Sequence, residues 1–96
     1  MGRWLILALA ALSWACSQRE PRTPDLVLND VRRFTLRVAE RSGESARACH
    51  RATSAAAVAV ANVMGPLTRK EAVPAERYAA LHVADRTMQG ACVEFR

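Results

Sequence analysis

The stretch ATSAAAVAVA, residues 52–61, decides the fold, because it is almost entirely alanine and valine. Small side chains let neighbouring helices approach closely, so we expect this stretch at the centre of a helical packing. We predict a helix around it from about Glu44 to Met64, ending at Gly65-Pro66 because proline does not continue a helix. The apolar run is shorter than the roughly 20 residues that span a membrane, which favours a packed helix.

A first helix is predicted before this stretch, over Asp25 to Arg41. Thr23 and Asp25 are its candidate caps, Pro24 suits its first turn, and Ser42-Gly43 is its expected end. Apolar residues recur in it at steps of four, three and four, which is one stripe of an amphipathic helix; they are Val27, Val31, Phe34 and Val38.

A third helix is predicted to begin between Thr68 and Pro74 and to continue to the C-terminus. Thr68 with Glu71 makes a capping-box pattern, and Pro74 suits a first helical turn. No stretch alternates as a strand does. The sequence therefore predicts an all-α fold, a small antiparallel three-helix bundle. The third helix carries an apolar stripe with Asp85 as its polar interruption, formed by Tyr78, Leu81, Met88, Cys92 and Phe95.

Residues 1–15 have the pattern of an export signal. A basic tip is followed by eight apolar residues, Leu5 to Leu12, and then by Ser13-Trp14-Ala15, which is small at its first and last positions. With Cys16 directly after it, this segment resembles the signal peptide of bacterial lipoproteins. Cleavage at the same bond by the general signal peptidase, giving a plainly secreted or soluble periplasmic protein, is the alternative.

The lipoprotein resemblance implies a location in the cell envelope. It implies that Cys16 is lipidated and that the protein is anchored to a membrane, facing the periplasm. Ser17 rather than aspartate after the cysteine implies sorting to the outer membrane in a bacterium with two membranes. Residues 16–24 contain two prolines and no aliphatic or aromatic residue, which predicts an extended tether. Residues 25–96 are then one small helical domain, of a size at which the core alone stabilises marginally.

The three cysteines of the chain are Cys16, Cys49 and Cys92. If Cys16 carries lipid, the other two remain to form a pair. Cys49 lies about 24 Å before the end of the second helix, and Cys92 about 27 Å beyond the start of the third. In an antiparallel pair the two meet at the same end. We therefore predict a disulfide whose loop of about 43 residues stabilises by about 4 kcal/mol; two buried free thiols are the alternative.

The chain is basic, with 14 lysines and arginines against 9 acidic residues and a net charge of +5. Arg33, Arg37 and Arg41 recur at steps of four, opposite the apolar stripe. A solvated helix face explains this pattern, and an anionic partner such as lipid headgroups or an acidic protein patch is the functional interpretation. We predict no nucleic-acid partner, because no aromatic stacking platform accompanies the charges.

The sequence predicts no catalytic residue, metal site or cofactor. Cys49 and His50 are neighbours on a helix, about 100° apart, so they do not form a nucleophile–base pair. A metal site that adds His82 and Cys92 fails, because these two lie about 15 Å apart along one helix. Glycine-rich phosphate loops and hydrolase serine motifs are missing from the sequence.

Two function classes remain open. The first is a tethered interaction module that binds another envelope protein, of the accessory, inhibitor, immunity or exclusion type. The second is a structural or membrane-surface protein whose arginine face binds anionic lipid or cell-wall polymer.

Overall fold

The structure, a computed structural model, describes residues 21–96. These residues form helices α1 (Pro24–Val38), α2 (Glu44–Thr68) and α3 (Ala75–Ala91), followed by a C-terminal 3₁₀ turn (Val93–Phe95). The described part of the chain contains no strand, so the predicted all-α bundle is confirmed. The predicted signal peptide, the lipidation site Cys16 and the first residues of the tether lie outside the described residues.

Helix α2 is the central element and packs against both α1 and α3. Two contacts fix its direction relative to α3. Cys49 near the start of α2 is bonded to Cys92 just after α3, and Arg77 at the start of α3 donates to the carbonyl oxygen of Asn62 near the end of α2. The two helices are therefore antiparallel.

The core is built from small residues of α2 and larger residues of its neighbours. Phe34 of α1 and Met88 of α3 are completely buried. Alanines let the helices pack closely around these two side chains, and the predicted stretch supplies most of them. The buried residues of α2 are Ala46, Cys49, Ala52, Thr53, Ala56, Ala59, Val60, Val63 and Pro66.

Helix α1 ends three residues before its predicted end at Arg41. Val38 is its last helical residue and also its last buried one, and residues 39–45 are exposed. Continuing the helix would bury no further apolar surface, and packing is what stabilises a short helix. Gly43 has φ +104°, but it precedes α2 as the N-cap residue instead of terminating α1. A side chain there would be strained.

Helix α2 runs through its predicted end at Gly65-Pro66 and continues to Thr68. Proline at 66 has no N–H to donate to the carbonyl oxygen of Asn62. The Nη1 of Arg77 donates to that oxygen instead, at 3.1 Å. This replacement bond from α3, which is not visible in the local sequence, is one reason that the proline does not end the helix.

The third helix begins later than Thr68. The Thr68 hydroxyl donates to the Gly65 carbonyl oxygen (2.7 Å) and Glu71 pairs with Arg69 (2.9 Å), so the predicted capping box is wrong. Helix α3 starts at Ala75, directly after Pro74. It also ends at Ala91 instead of continuing to the C-terminus, and the chain finishes in the 3₁₀ turn.

Candidate functional site

Cys49 and Cys92 form a disulfide, with their Cα atoms 4.7 Å apart. Both residues are completely buried. The predicted meeting of the two cysteines at one end of the bundle is confirmed. Because both sulfur atoms are committed to this bond, neither is available as a nucleophile or a metal ligand.

The two histidines lie apart from each other. His50 is exposed on α2, whereas His82 on α3 is partly buried. The Nδ1 atom of His82 is buried and has no hydrogen-bond partner in the described part of the chain. Within residues 21–96, no three His, Cys, Asp or Glu side chains are placed to hold a metal ion.

The predicted arginine face does not form one uniform surface. Arg33 pairs with Asp30 (Nη2 to Oδ1, 2.9 Å), and its guanidinium lies 5.2 Å from the centre of the Phe34 ring. Arg37 donates from Nη1 to the carbonyl oxygen of Phe95 at 2.8 Å. Arg41 lies in the turn after α1. Two of the three arginines, Arg33 and Arg37, are therefore engaged by groups of the domain, whereas Arg41 lies beyond the end of the helix.

Arg41 contributes to a groove at the α1–α2 connection, with a volume of about 490 Å³. Val38 of α1 and Ala46 of α2 form its apolar floor. Its rim is cationic or titratable, and it consists of Arg41, Arg47, His50 and Arg51. We call these six residues the arginine-rimmed groove. The sequence interpretation missed Arg47 and Arg51 as site residues, because the turn that brings them beside Arg41 is a tertiary feature.

The charges of this rim are only partly neutralised. Glu44 pairs with Arg47 at 3.1 Å and lies 3.9 Å from Arg51. Arg41 makes no ion pair with any residue in 21–96. Exposed pairs such as Arg47–Glu44 contribute at most about 1 kcal/mol, so they exchange readily for another anion. The groove thus offers cations beside an apolar floor.

A second polar cluster lies between α1 and α3, and we call it the clamp. Its carboxylates are Asp30 of α1 and Asp85 of α3, both buried. Arg22 pairs with Asp30 at 2.8 Å and lies 3.7 Å from Asp85. Gln89 donates to Asp30 at 2.7 Å and to Asp85 at 3.3 Å. The clamp connects the end of the tether with two helices.

The clamp changes the acidity of Asp30. Burial by itself raises the pKa of this carboxyl, but the hydrogen bonds from Arg22 and Gln89 and the charges of Arg22 and Arg33 more than offset it. The pKa of Asp30 is therefore below its ordinary value of 3.8. A sequence signal for this residue existed, because Asp30 lies three residues after Val27 and so shares the apolar stripe of α1.

Neither a protein-family model nor a curated protein nor a solved structure matches this chain. Its function has therefore to be inferred from the groove, the clamp and the N-terminal segment. None of the helices in residues 21–96 is long and apolar enough to cross a membrane.

Proposed function

We propose that this protein is a membrane-tethered interaction module of the bacterial cell envelope. Cys16 carries the lipid, residues 16–24 form the tether, and the helical domain binds another envelope protein. The arginine-rimmed groove is the binding site, and its occupant is an acidic, amphipathic segment of that partner.

The pairing of the cysteines supports the membrane tether. Cys49 and Cys92 bond to each other, so Cys16 is the one cysteine of the chain left over. An unpaired cysteine in an exported protein commonly has a specific function. The position of Cys16 directly after a signal-like segment suits lipidation. The disulfide also agrees with export, because structural disulfides persist in oxidising compartments.

The composition of the groove is the observation that carries the proposed partner. Apolar side chains of an amphipathic segment would cover Val38 and Ala46, and its carboxylates would pair with Arg41, Arg47 and Arg51. Arginine suits such contacts because its planar guanidinium binds a carboxylate through two parallel hydrogen bonds.

The position of the groove favours a protein partner over the membrane that holds the lipid. The groove lies at the end of α1, whereas the tether joins the start of α1. The 15 residues of α1 separate the two by about 22 Å. This exceeds the Debye length of about 8 Å at physiological salt, so headgroups directly at the attachment of the tether are screened from the groove.

Two measurements test the proposal. Intact mass of the mature protein from membranes reports cleavage before Cys16 and any acyl mass; a cleaved chain without acyl mass would support plain secretion instead. Capture in mild detergent then compares the wild type with a groove variant carrying Arg41→Gln, Arg47→Gln and Arg51→Gln. The matched control loses the same charge outside the groove, through Arg32→Gln, Arg86→Gln and Arg96→Gln.

We expect a stoichiometric partner that the wild type and the control retain and that the groove variant loses at least tenfold. Equal retention by both triple variants would overturn the groove as the binding site. Salt-sensitive binding of the isolated protein to anionic vesicles or cell-wall polymer, without a protein partner, would instead support the surface-protein alternative.

A further inference from the structure

We infer, on the basis of the proposed lipidation of Cys16, that the bundle contacts the anionic lipid surface through the end of α2 and its connection to α3. We call residues 67–74 the corner. The clamp fixes the bundle so that the corner faces the membrane and the arginine-rimmed groove faces away from it.

The clamp determines where the tether leaves the bundle. Arg22 donates from Nη2 to the Leu26 carbonyl oxygen at 2.9 Å and pairs with Asp30 at 2.8 Å. The side chain of Arg22 thus lies along α1 and holds the residues just before the helix. Only the six residue steps from Cys16 to Arg22 separate the lipid from the clamp, and they reach at most about 20 Å.

The lengths of the helices place the corner at the end of the bundle from which the tether leaves. Helices α1 and α2 meet at the connection of residues 39–43, but α2 has 25 residues and α1 has 15. In an antiparallel pair, α2 therefore extends about 15 Å beyond the start of α1. The reach of the tether exceeds the projection of α2 by only about 5 Å, so a lipid on Cys16 keeps the corner close to the membrane surface.

The side chains of the corner suit a lipid interface. Leu67 is 43% exposed, and so is Tyr78 in the first turn of α3. Tyrosine is favoured at the boundary between apolar and aqueous regions. Arg69 pairs with Glu71, so Lys70 supplies the net positive charge of the corner. An anionic membrane attracts a cation that lies near its surface.

Lys70 lies directly after α2 and closes the end of that helix. Its φ is +56°, the left-handed conformation in which many helices end. The Lys70 N–H donates to the Leu67 carbonyl oxygen at 3.1 Å, and the Glu71 N–H donates to the Pro66 carbonyl oxygen at 2.9 Å. This Schellman arrangement fixes the backbone that carries the Lys70 side chain in the corner.

Tryptophan fluorescence provides the test, because the two tryptophans of the chain, Trp4 and Trp14, precede Cys16. The mature chain therefore has none, and Leu67→Trp gives a single probe in the corner. The matched control is Leu36→Trp, at a residue 76% exposed near the groove end of α1. Vesicles contain phosphatidylglycerol and phosphatidylcholine with brominated acyl chains, which quench tryptophan near the membrane.

Two forms of the protein are compared on these vesicles. One is the mature protein purified from membranes, and the other is the mature chain coupled at Cys16 to a maleimide-bearing lipid. Lack of acyl mass on the first form would overturn the proposed lipidation. The second form still reports on the corner, so failure of the proposed function and failure of the membrane contact are distinguishable.

We expect the brominated lipid to quench the probe at position 67 at least twofold more than the probe at position 36. Adding Arg22→Gln should reduce this difference. Adding Lys70→Glu, which lies outside the core, should weaken quenching at 67 on anionic vesicles but not on zwitterionic ones. Equal quenching of the two probes, or no response to either added substitution, would overturn the inference.

Discussion

Arg22 and Asp30 form a 2.8 Å ion pair that ties the tether to α1. The same carboxylate of Asp30 accepts a 2.7 Å hydrogen bond from Gln89 of α3. Arg22 is therefore part of the helical domain in its contacts, although it belongs to the tether in sequence.

We expect Arg22→Gln to lower the free energy of unfolding by about 1–2 kcal/mol at pH 7. This lies between the values for exposed and buried ion pairs, because Asp30 is buried but the Arg22 side chain is 34% exposed. The depressed pKa of Asp30 contributes stability above the unfolded value near 3.8, and this contribution is lost as the pH falls through the folded value. Urea unfolding at pH 7, 5 and 3 measures the effect.

The difference in the free energy of unfolding between wild type and Arg22→Gln should have its full size at pH 7 and 5 and should be smaller at pH 3. Arg32→Gln is the control, since Arg32 is exposed on α1 and makes no ion pair in the described part of the chain. A difference that stays constant over the three pH values would contradict an origin in the Asp30 charge.

Removing the disulfide by Cys49→Ala with Cys92→Ala should lower the free energy of unfolding by about 2–4 kcal/mol. The bond closes a loop of 43 residues, which restricts the unfolded chain. Thermal unfolding with and without reductant measures the loss. Reductant should lower the melting temperature of the wild type and leave that of the double variant unchanged. An unchanged melting temperature for wild type whose disulfide is fully reduced would contradict the prediction.

Phe34→Ala should destabilise the oxidised domain by about 3–5 kcal/mol, because Phe34 is completely buried in the core and its loss leaves a cavity. Leu36→Ala, two residues away on the exposed face, should change stability by no more than about 0.5 kcal/mol. Urea midpoints of the two variants provide the comparison. Similar losses for both would show that the assigned faces of α1 are wrong.

Arg37→Gln should loosen the C-terminal turn, because the bond from Arg37 to the carbonyl oxygen of Phe95 is lost. We expect faster amide hydrogen exchange at residues 93–95 and a destabilisation of about 1 kcal/mol. Arg41→Gln, which removes the same charge from the connection after α1, should leave exchange in the C-terminal turn unchanged. If both variants exchange alike, the turn does not depend on Arg37.

The local pattern of residues 52–61 and the periodicity of the flanking segments were sufficient to predict three helices. The register of Cys49 and Cys92 was also predictable, because the helical rise and two short connections fix which residues lie at the same height. These features depend on the spacing of residues along the chain, which can be read directly from the sequence.

The ends of the helices and the roles of the arginines were decided by the tertiary structure. Helix α2 continues through Pro66, where Arg77 of another helix replaces the missing donor at the Asn62 carbonyl. The partners of the long arginine side chains can be distant in sequence, since Arg37 donates to the carbonyl oxygen of Phe95, 58 residues away. The sequence alone determined the helices and the cysteine pair, and folding decided which arginines pair with groups of the domain and which lie exposed at the groove.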